Sequence, residues 1–527
     1  MPQALLMDAR DDPVLALFGQ ANRLLYMPSL LPLLKSPRLT VKTGLPGAAS
    51  LDRYEAVLLL LPTEARPSAG LPNASRWQTL HERGRISHAD VRTVTLDNPR
   101  QTLAVLGYCR ADADAFELLR VAGLLAQCVF ANRTDPVRIA IIAQPPLRQR
   151  AAWQEALYAA LAAHCFLLPT DKKPTAKRKV LAAVDAYGDS ALDRARAERT
   201  AEATNLVRHL TALPPNVLDA PAYRRLLGTL ARRHGLRLRW YTEAALARLG
   251  AGAFLAVSRG NPRRDAGIAH LAYTPRRARK AAGARPDVAL VGKGVLFDTG
   301  GTNLKPHRSM LDMHTDMAGS AVALATIVAA AQLQIPKSID AWLAITENNI
   351  GPKSYRPQEV VRALNGTTIQ VIHSDAEGRM ALADTLALAA RRRPRAMLDF
   401  ATLTGACVYA LTERMSGLFA TDAALAQRAL AAGAASGERL WQFPLPEDFD
   451  TDLESPTADI AQCALEGKGD HILATRFLKR FVPDDIAWGH IDLSSATRRG
   501  GLAHVPSEIT GFGARLTLTL LLDHLGH

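Results

Sequence analysis

The stretch VIHSDAEGRM, residues 371–380, places Asp375, Glu377 and Arg379 at every second position, with His373 ahead of them in the same phase. A second group lies upstream: Lys293 and Asp298 in GKGVLFD, Lys305 in TNLK and Asp316 in HTDMAG. Three Asp and one Glu brought together repel unless a cation neutralises them. Carboxylates suit Mg, Mn and Zn. Two such ions a few ångströms apart acidify a water and polarise a carbonyl. Lysine binds a metal only as the neutral amine, a form favoured by burial beside dications, so Lys293 fits this donor set.

Each residue alone has a plainer reading. An Asp at a strand end more often caps the following helix, and two nearby lysines usually form a solvated face. Convergence favours the chemical reading: both groups close an apolar run and both precede a small-residue helical pattern. His373 with Asp375 and Glu377 also spells HxDxE, which on a strand would set three ligands on one face for a single metal. GPKS (351–354) lacks the spacing of a phosphate loop. No Gly-x-Ser-x-Gly elbow supports a serine hydrolase.

The elements that must position these residues alternate along the chain. Strand-like runs occupy 54–62, 102–109 and 137–144, with helical patterns at 113–130 and 151–166 between and after them. The polar stretch 168–179 reads as a linker or exposed loop. A long helical pattern at 190–213 stops at Pro214-Pro215. Strand runs follow at 287–297, 338–346, 367–374 and 396–405, with helices at 317–333 and 381–393. This β-α-β rhythm predicts α/β domains, with a largely parallel sheet between helices and ligands at the carboxyl ends of its strands. At 527 residues the chain is too long for one core, so two domains are expected: 1–170, a linker at 171–194, and a catalytic domain at 195–527.

Hydrophobic residues at 48% and charged residues at 22% place the chain among globular proteins. No apolar run reaches the roughly 18 residues of a membrane span. The start, MPQALLMDARDDP, has no basic region ahead of an apolar one, so no secretory signal is expected and the cytoplasm is the default. Five dispersed cysteines without a CxxC pair fit reduced thiols and exclude a cysteine zinc site. The net charge of +14 is spread along the chain. Short basic clusters at 172–179, 276–280 and 391–395 allow nucleic-acid contact, although arginine-rich solvated faces are commoner.

VGKGVLFDTGGTNLK, HTDMAGSA, DAEGRMALADTL and DFATLTGACV closely resemble the signatures of the leucyl aminopeptidase family, the dinuclear cytosol aminopeptidases. The resemblance extends over roughly 195–527. The first 170 residues share only position and α/β rhythm with the family's macro-like N-terminal domain. The resemblance implies a mixed, largely parallel catalytic sheet flanked by helices, and two divalent metal ions per subunit, Mn or Zn. One ion would be held by Asp298, Asp375 and Glu377, the other by Lys293, Asp298, Asp316 and Glu377. Lys305 would contact the substrate carbonyl or oxyanion, and Arg379 would hold a bicarbonate as general base. Met313, Thr402 and Gly405 would line a pocket for a Leu- or Met-like first residue of a peptide substrate. A cytoplasmic homohexamer is implied too. A scaffold or a basic nucleic-acid-binding relative is the alternative.

The chain departs from the family pattern in three places. His373-Ser374 replaces Asn-Thr, HIDLSS replaces His-Ile-Asp-Ile-Ala-Gly, and GDHILATRFL replaces a more alanine-rich segment. None removes an expected ligand. By this comparison His373 lies outside the metal shell and supports the stretch.

Overall fold

The computed structural model describes residues 36–133, 135–172, 180–275 and 285–525. The N-terminal start, most of the basic cluster at 172–179 and all of that at 276–280 lie outside the described residues.

The first sheet has six strands: Arg38–Lys42 (β1), Ala56–Pro62 (β2), Val91–Thr95 (β3), Leu103–Cys109 (β4), Arg138–Ala143 (β5) and Ala183–Tyr187 (β6), in the order β1-β6-β5-β2-β4-β3. Only β3 runs antiparallel to its neighbour. β2 is a continuous apolar run because both its faces are covered: Leu58 and Leu60 enter one core cluster, Val57, Leu59 and Leu61 the other. The segment 171–194, expected as a linker, contributes β6, which pairs with both β1 and β5. The short run AAVDAY escaped notice because the polar stretch before it dominates the local composition.

The helix Arg194–Ala212 joins this sheet to the rest. Its Ala197 and Ala201 pack in the first core, while Ala203, Leu206, Val207 and Leu210 pack in the second. The second sheet has eight strands: Arg237–Thr242 (β7), Gly267–Tyr273 (β8), Val288–Asp298 (β9), Ile339–Asn348 (β10), Ala396–Ala401 (β11), Ser416–Ala420 (β12), Leu440–Gln442 (β13) and Ala487–Asp492 (β14). Their order is β13-β12-β14-β11-β9-β10-β8-β7. The inner strands β14, β11, β9 and β10 are mutually parallel, and antiparallel β8 and β12 flank them. The sheet is therefore mixed and largely parallel, as expected.

The chain passes from β9 through the helix Ala318–Gln332 to β10, then back through the helix Glu377–Ala390 to β11 on the other side of β9. These two helices lie in different core clusters, on opposite faces of the sheet. The direction of winding thus reverses between β9 and β11, where parallel sheets open a crevice at their carboxyl ends.

Among the described residues, two stretches, Ala115–Asn132 and His307–Gln332, are long and apolar enough for a membrane span by composition. The first is 44% and the second 83% buried within the protein, the second in the core on one face of the eight-stranded sheet. All five cysteines are free thiols.

Candidate active site

β9 carries Lys293 within its length and Asp298 at its end, both buried. Lys293 Nζ lies 2.7 Å from Asp316 Oδ2 and 3.0 Å from Glu377 Oε1, and donates to the Thr402 carbonyl at 3.0 Å. Lys305 Nζ lies 2.9 Å from Asp298 Oδ2 and 2.5 Å from Asp375 Oδ1. Asp298, Asp375 and Glu377 each offer an oxygen within 4.8 Å of the others. The structure thus gathers into one cluster the four acids and two lysines selected from sequence.

Electrostatics in the cluster are strained. Burial, and then repulsion from Asp298, push the Glu377 carboxyl up to about 8, with Lys293 opposing. Asp316 is pushed up to about 6 by burial, with Lys293 opposing and Asp298 adding. Asp375 is raised by burial and by Asp298. Burial alone would lower the Lys293 ammonium, but Asp316, Glu377 and Asp298 hold it well above its usual range.

Four carboxylates facing two ammonium groups leave surplus negative charge. Glu377 Oε2 is buried with no hydrogen-bond partner among the described residues. An oxygen-rich donor set with one amine and an unsatisfied carboxylate oxygen suits divalent cations, which would supply the missing positive charge and take the place of the Lys293 proton.

The turn after β9 is held in shape by the side chains of Asn348 and Ser374. Asp298 Oδ1 accepts from the Gly300 amide at 2.8 Å and from Asn348 Nδ2 at 2.7 Å, which aims Oδ2 at the cluster. Gly300 adopts φ +85°, and a Cβ there would meet the Asn303 carbonyl oxygen at 2.4 Å, so glycine is required. Ser374 donates to the Gly300 carbonyl at 2.6 Å and accepts from the Asn303 amide at 2.7 Å. Its own carbonyl accepts from Asn348 and from the Tyr355 hydroxyl.

The 371–380 stretch departs from the expected strand. Regular pairing here is limited to Thr368–Gln370, and Asp375 lies in a turn. Glu377 and Arg379 fall in the first turn of the helix Glu377–Ala390. They do not share a pleated face with Asp375. The chain leaves the ladder because Gln462 captures it: its Oε1 accepts the Ile372 and His373 amides at 3.1 Å, and its Nε2 donates to the Ala376 carbonyl at 3.0 Å. Gln462 is fully buried, as are Asn348 and Tyr355. Sequence reasoning missed all three, although Asn348 and Tyr355 fall in one stretch, ENNIGPKSYRP at 347–357, that also resembles the family pattern.

His373 is exposed, and its Nδ1 accepts the Asp375 amide at 3.3 Å. It therefore braces the turn that carries Asp375. The HxDxE face is not formed. Among the expected pocket residues, Thr402 turns its hydroxyl onto Asp316 Oδ1 at 2.7 Å, and Met313 is half-buried in the turn leading to Asp316. Gly405 does not end a strand but opens the helix Gly405–Leu411, and it lines the cavity. Arg379 is buried, and its Nη2 lies 2.8 and 2.7 Å from the two oxygens of Asp470. The anion found on Arg379 is a carboxylate of the chain itself, where bicarbonate was expected.

A cavity of about 430 Å³ opens over the cluster. Lys305, Asp375, Glu377, Arg379, Gly405 and Asp470 are among the residues that line it.

The family model for the catalytic domain of the cytosol aminopeptidase family matches residues 205–518. A probable cytosol aminopeptidase of Streptomyces coelicolor is 39% identical over 325 residues, 61% of this chain and 61% of its own length. One from Roseiflexus castenholzii is 37% identical over 359 residues, 68% of this chain and 72% of its own. The alignment thus spans about three fifths of the Streptomyces relative. Among solved structures, the bottromycin maturation enzyme BotP in complex with Mn superposes with a TM-score of 0.78 at 29% identity, covering 90% of this chain and all of BotP.

Proposed function

The chain belongs to the cytosol aminopeptidase family, and on that premise we propose that it is a metal-dependent exopeptidase releasing N-terminal residues from peptides. The observation that carries this reading is the cluster of buried Lys293, Asp298, Asp316 and Glu377 with half-buried Lys305 and Asp375, of which Lys305, Asp375 and Glu377 line one cavity. Two divalent ions, Mn or Zn, would be held by Lys293, Asp298, Asp316, Asp375 and Glu377, with Asp298 and Glu377 shared. Bound there, they would acidify a water, polarise the scissile carbonyl and recognise a free α-amino group.

The protein's own groups supply the rest. Lys305 carries its ammonium into the cavity, where it would stabilise the oxyanion formed from the carbonyl. Thr402 orients Asp316 by its hydroxyl and Lys293 by its carbonyl. Gly405, without a side chain, leaves room beside them for a Leu- or Met-like first residue, and Met313 would supply an apolar contact. Arg379 would hold the anion that receives the proton of the attacking water. Expected as bicarbonate, that anion has a competitor in Asp470.

The cytosolic naming of the relatives supports a cytoplasmic setting. A homohexamer is proposed from the family resemblance, and exposed Tyr409 and Trp441 offer apolar surface for subunit contact. The nucleic-acid reading gains nothing from the 391–395 cluster, since Arg392, Arg393 and Arg395 each face an acid: Asp340, Asp485 and Asp287. Metal content and hydrolysis of leucine amide and dipeptides, measured for the wild type and Asp375→Ala after Mn or Zn loading, test the proposal. Loss of metal and of activity together is expected. Undiminished activity in the variant overturns the mechanism.

A further inference from the structure

Arg379 and Asp470 form a buried pair at the wall of the cavity. The guanidinium side chain is only 3% exposed, while the Asp470 side chain is 24% exposed. Asp470 therefore presents the solvent-facing half of the pair. It shares the cavity with Lys305, Asp375 and Glu377. Arg379 Nη1 is committed elsewhere, to the Gln462 carbonyl at 3.3 Å. A bicarbonate on this guanidinium would have to displace the Asp470 carboxylate or lie against it, anion to anion. Arg379 also lines the cavity, and the carboxylate on its Nη2 already stands where a diffusible anion would bind.

We propose that Asp470 is the built-in anion of this site, taking the proton of the attacking water in place of bicarbonate. Nη2 occupies one lone pair on each Asp470 oxygen, and each carboxylate oxygen has a second. As the water oxygen adds to the scissile carbonyl carbon, its O–H bond breaks and the proton passes to Asp470. When the C–N bond breaks, the proton moves to the departing amine nitrogen and Asp470 returns to its carboxylate. Arg379 acts as a positioning residue, fixing the carboxylate on the cavity wall. Asp470 opens the helix Asp470–Lys479, in the segment GDHILATRFL where this chain departs from the family pattern.

This inference rests on the peptidase reading, and two independent measurements test it. In CO2-free buffer, zinc-loaded wild type is expected to cleave leucine amide at the same rate with and without added bicarbonate. Asp470→Asn and Asp470→Ala are expected to lose about 100-fold in kcat/KM. Added bicarbonate should restore part of the rate in Asp470→Ala. Asp470→Asn keeps an acceptor oxygen for Arg379, and an unchanged melting curve separates lost chemistry from lost folding. In the second measurement, the 13C resonance of labelled bicarbonate should be broadened by Asp470→Ala and left sharp by the wild type. A wild type stimulated by bicarbonate, a wild type that broadens the resonance as the variant does, or an Asp470→Asn with parental rate would each overturn the inference. If the wild type cleaves no peptide, the peptidase reading falls, and the resonance still decides whether Asp470 closes the anion site.

Discussion

Gly378 lies directly against Lys293: a Cβ at position 378 would stand 2.6 Å from Lys293 Cε and 2.7 Å from its Nζ. The helix that carries Glu377 can approach β9 closely enough to share Lys293 only because this position has no side chain. Gly378→Ala is therefore expected to keep the fold, since it meets a side-chain end rather than backbone, while pushing the amine off Asp316 and Glu377. Metal affinity should fall about 10- to 100-fold, read by titration of the metal-free protein with Zn or Mn. A parental titration curve would show that Lys293 is not a ligand.

Lys305 and Lys293 separate two roles within one cluster. Lys305→Met removes the ammonium proposed to stabilise the oxyanion and is expected to lower kcat by about 10²- to 10³-fold without loss of metal. Lys293→Met should instead lose bound metal. Metal analysis alongside steady-state kinetics distinguishes them, and equal metal loss in both variants would contradict the assignment.

Gln462 holds the turn before the Glu377–Ala390 helix by three side-chain hydrogen bonds from a fully buried position. Gln462→Leu keeps the volume and strands two amides and a carbonyl. The expected cost is about 1–3 kcal/mol for each group left unsatisfied, measured by denaturant unfolding, with weaker metal binding because Asp375 and Glu377 lose their frame. Stability within experimental error of the wild type would mean that another partner takes over.

His490 and Asp399 form a wholly buried pair at 2.6 Å, with Trp488 Nε1 donating to the second Asp399 oxygen at 2.8 Å. Burial alone would lower the His490 pKa, but Asp399 raises it above the usual histidine value. A group whose folded pKa is raised stabilises fully below its unfolded pKa and loses that contribution as pH rises through the folded value. Wild-type stability should thus carry a component that declines above about pH 6.5. His490→Gln is expected to melt lower at pH 6 and to show a shallower decline of Tm toward alkaline pH. Parallel profiles for the two proteins would refute the charged pair.

Much of the catalytic half was legible along the chain. The apolar run ending at Asp298, the small-residue helix after Asp316 and the strand expected at 396–405 became β9, the Ala318–Gln332 helix and β11, the last ending at Ala401 rather than at Gly405. Buried parallel strands are long uninterrupted apolar runs, so their periodicity speaks plainly. Short edge elements did not. β7 carries three polar residues in RLRWYT, and β6 follows a highly charged stretch. The 367–374 run looked like a full strand because its residues favour one, and a buried side chain from a distant segment ended it early.

The amino-acid sequence alone determined the donor types, their order and the need for a neutralising cation, because four acids and two lysines at strand ends have few other uses. Only the tertiary structure decided what surrounds them. Gln462 and Asp470 stand 83 and 91 residues beyond Arg379, and no local spacing links them to it. Folding brings these segments into contact, and contact decides whether a buried guanidinium faces an open anion site or a carboxylate of its own chain. That choice is made by long-range hydrogen bonds and by burial, which a linear pattern does not encode.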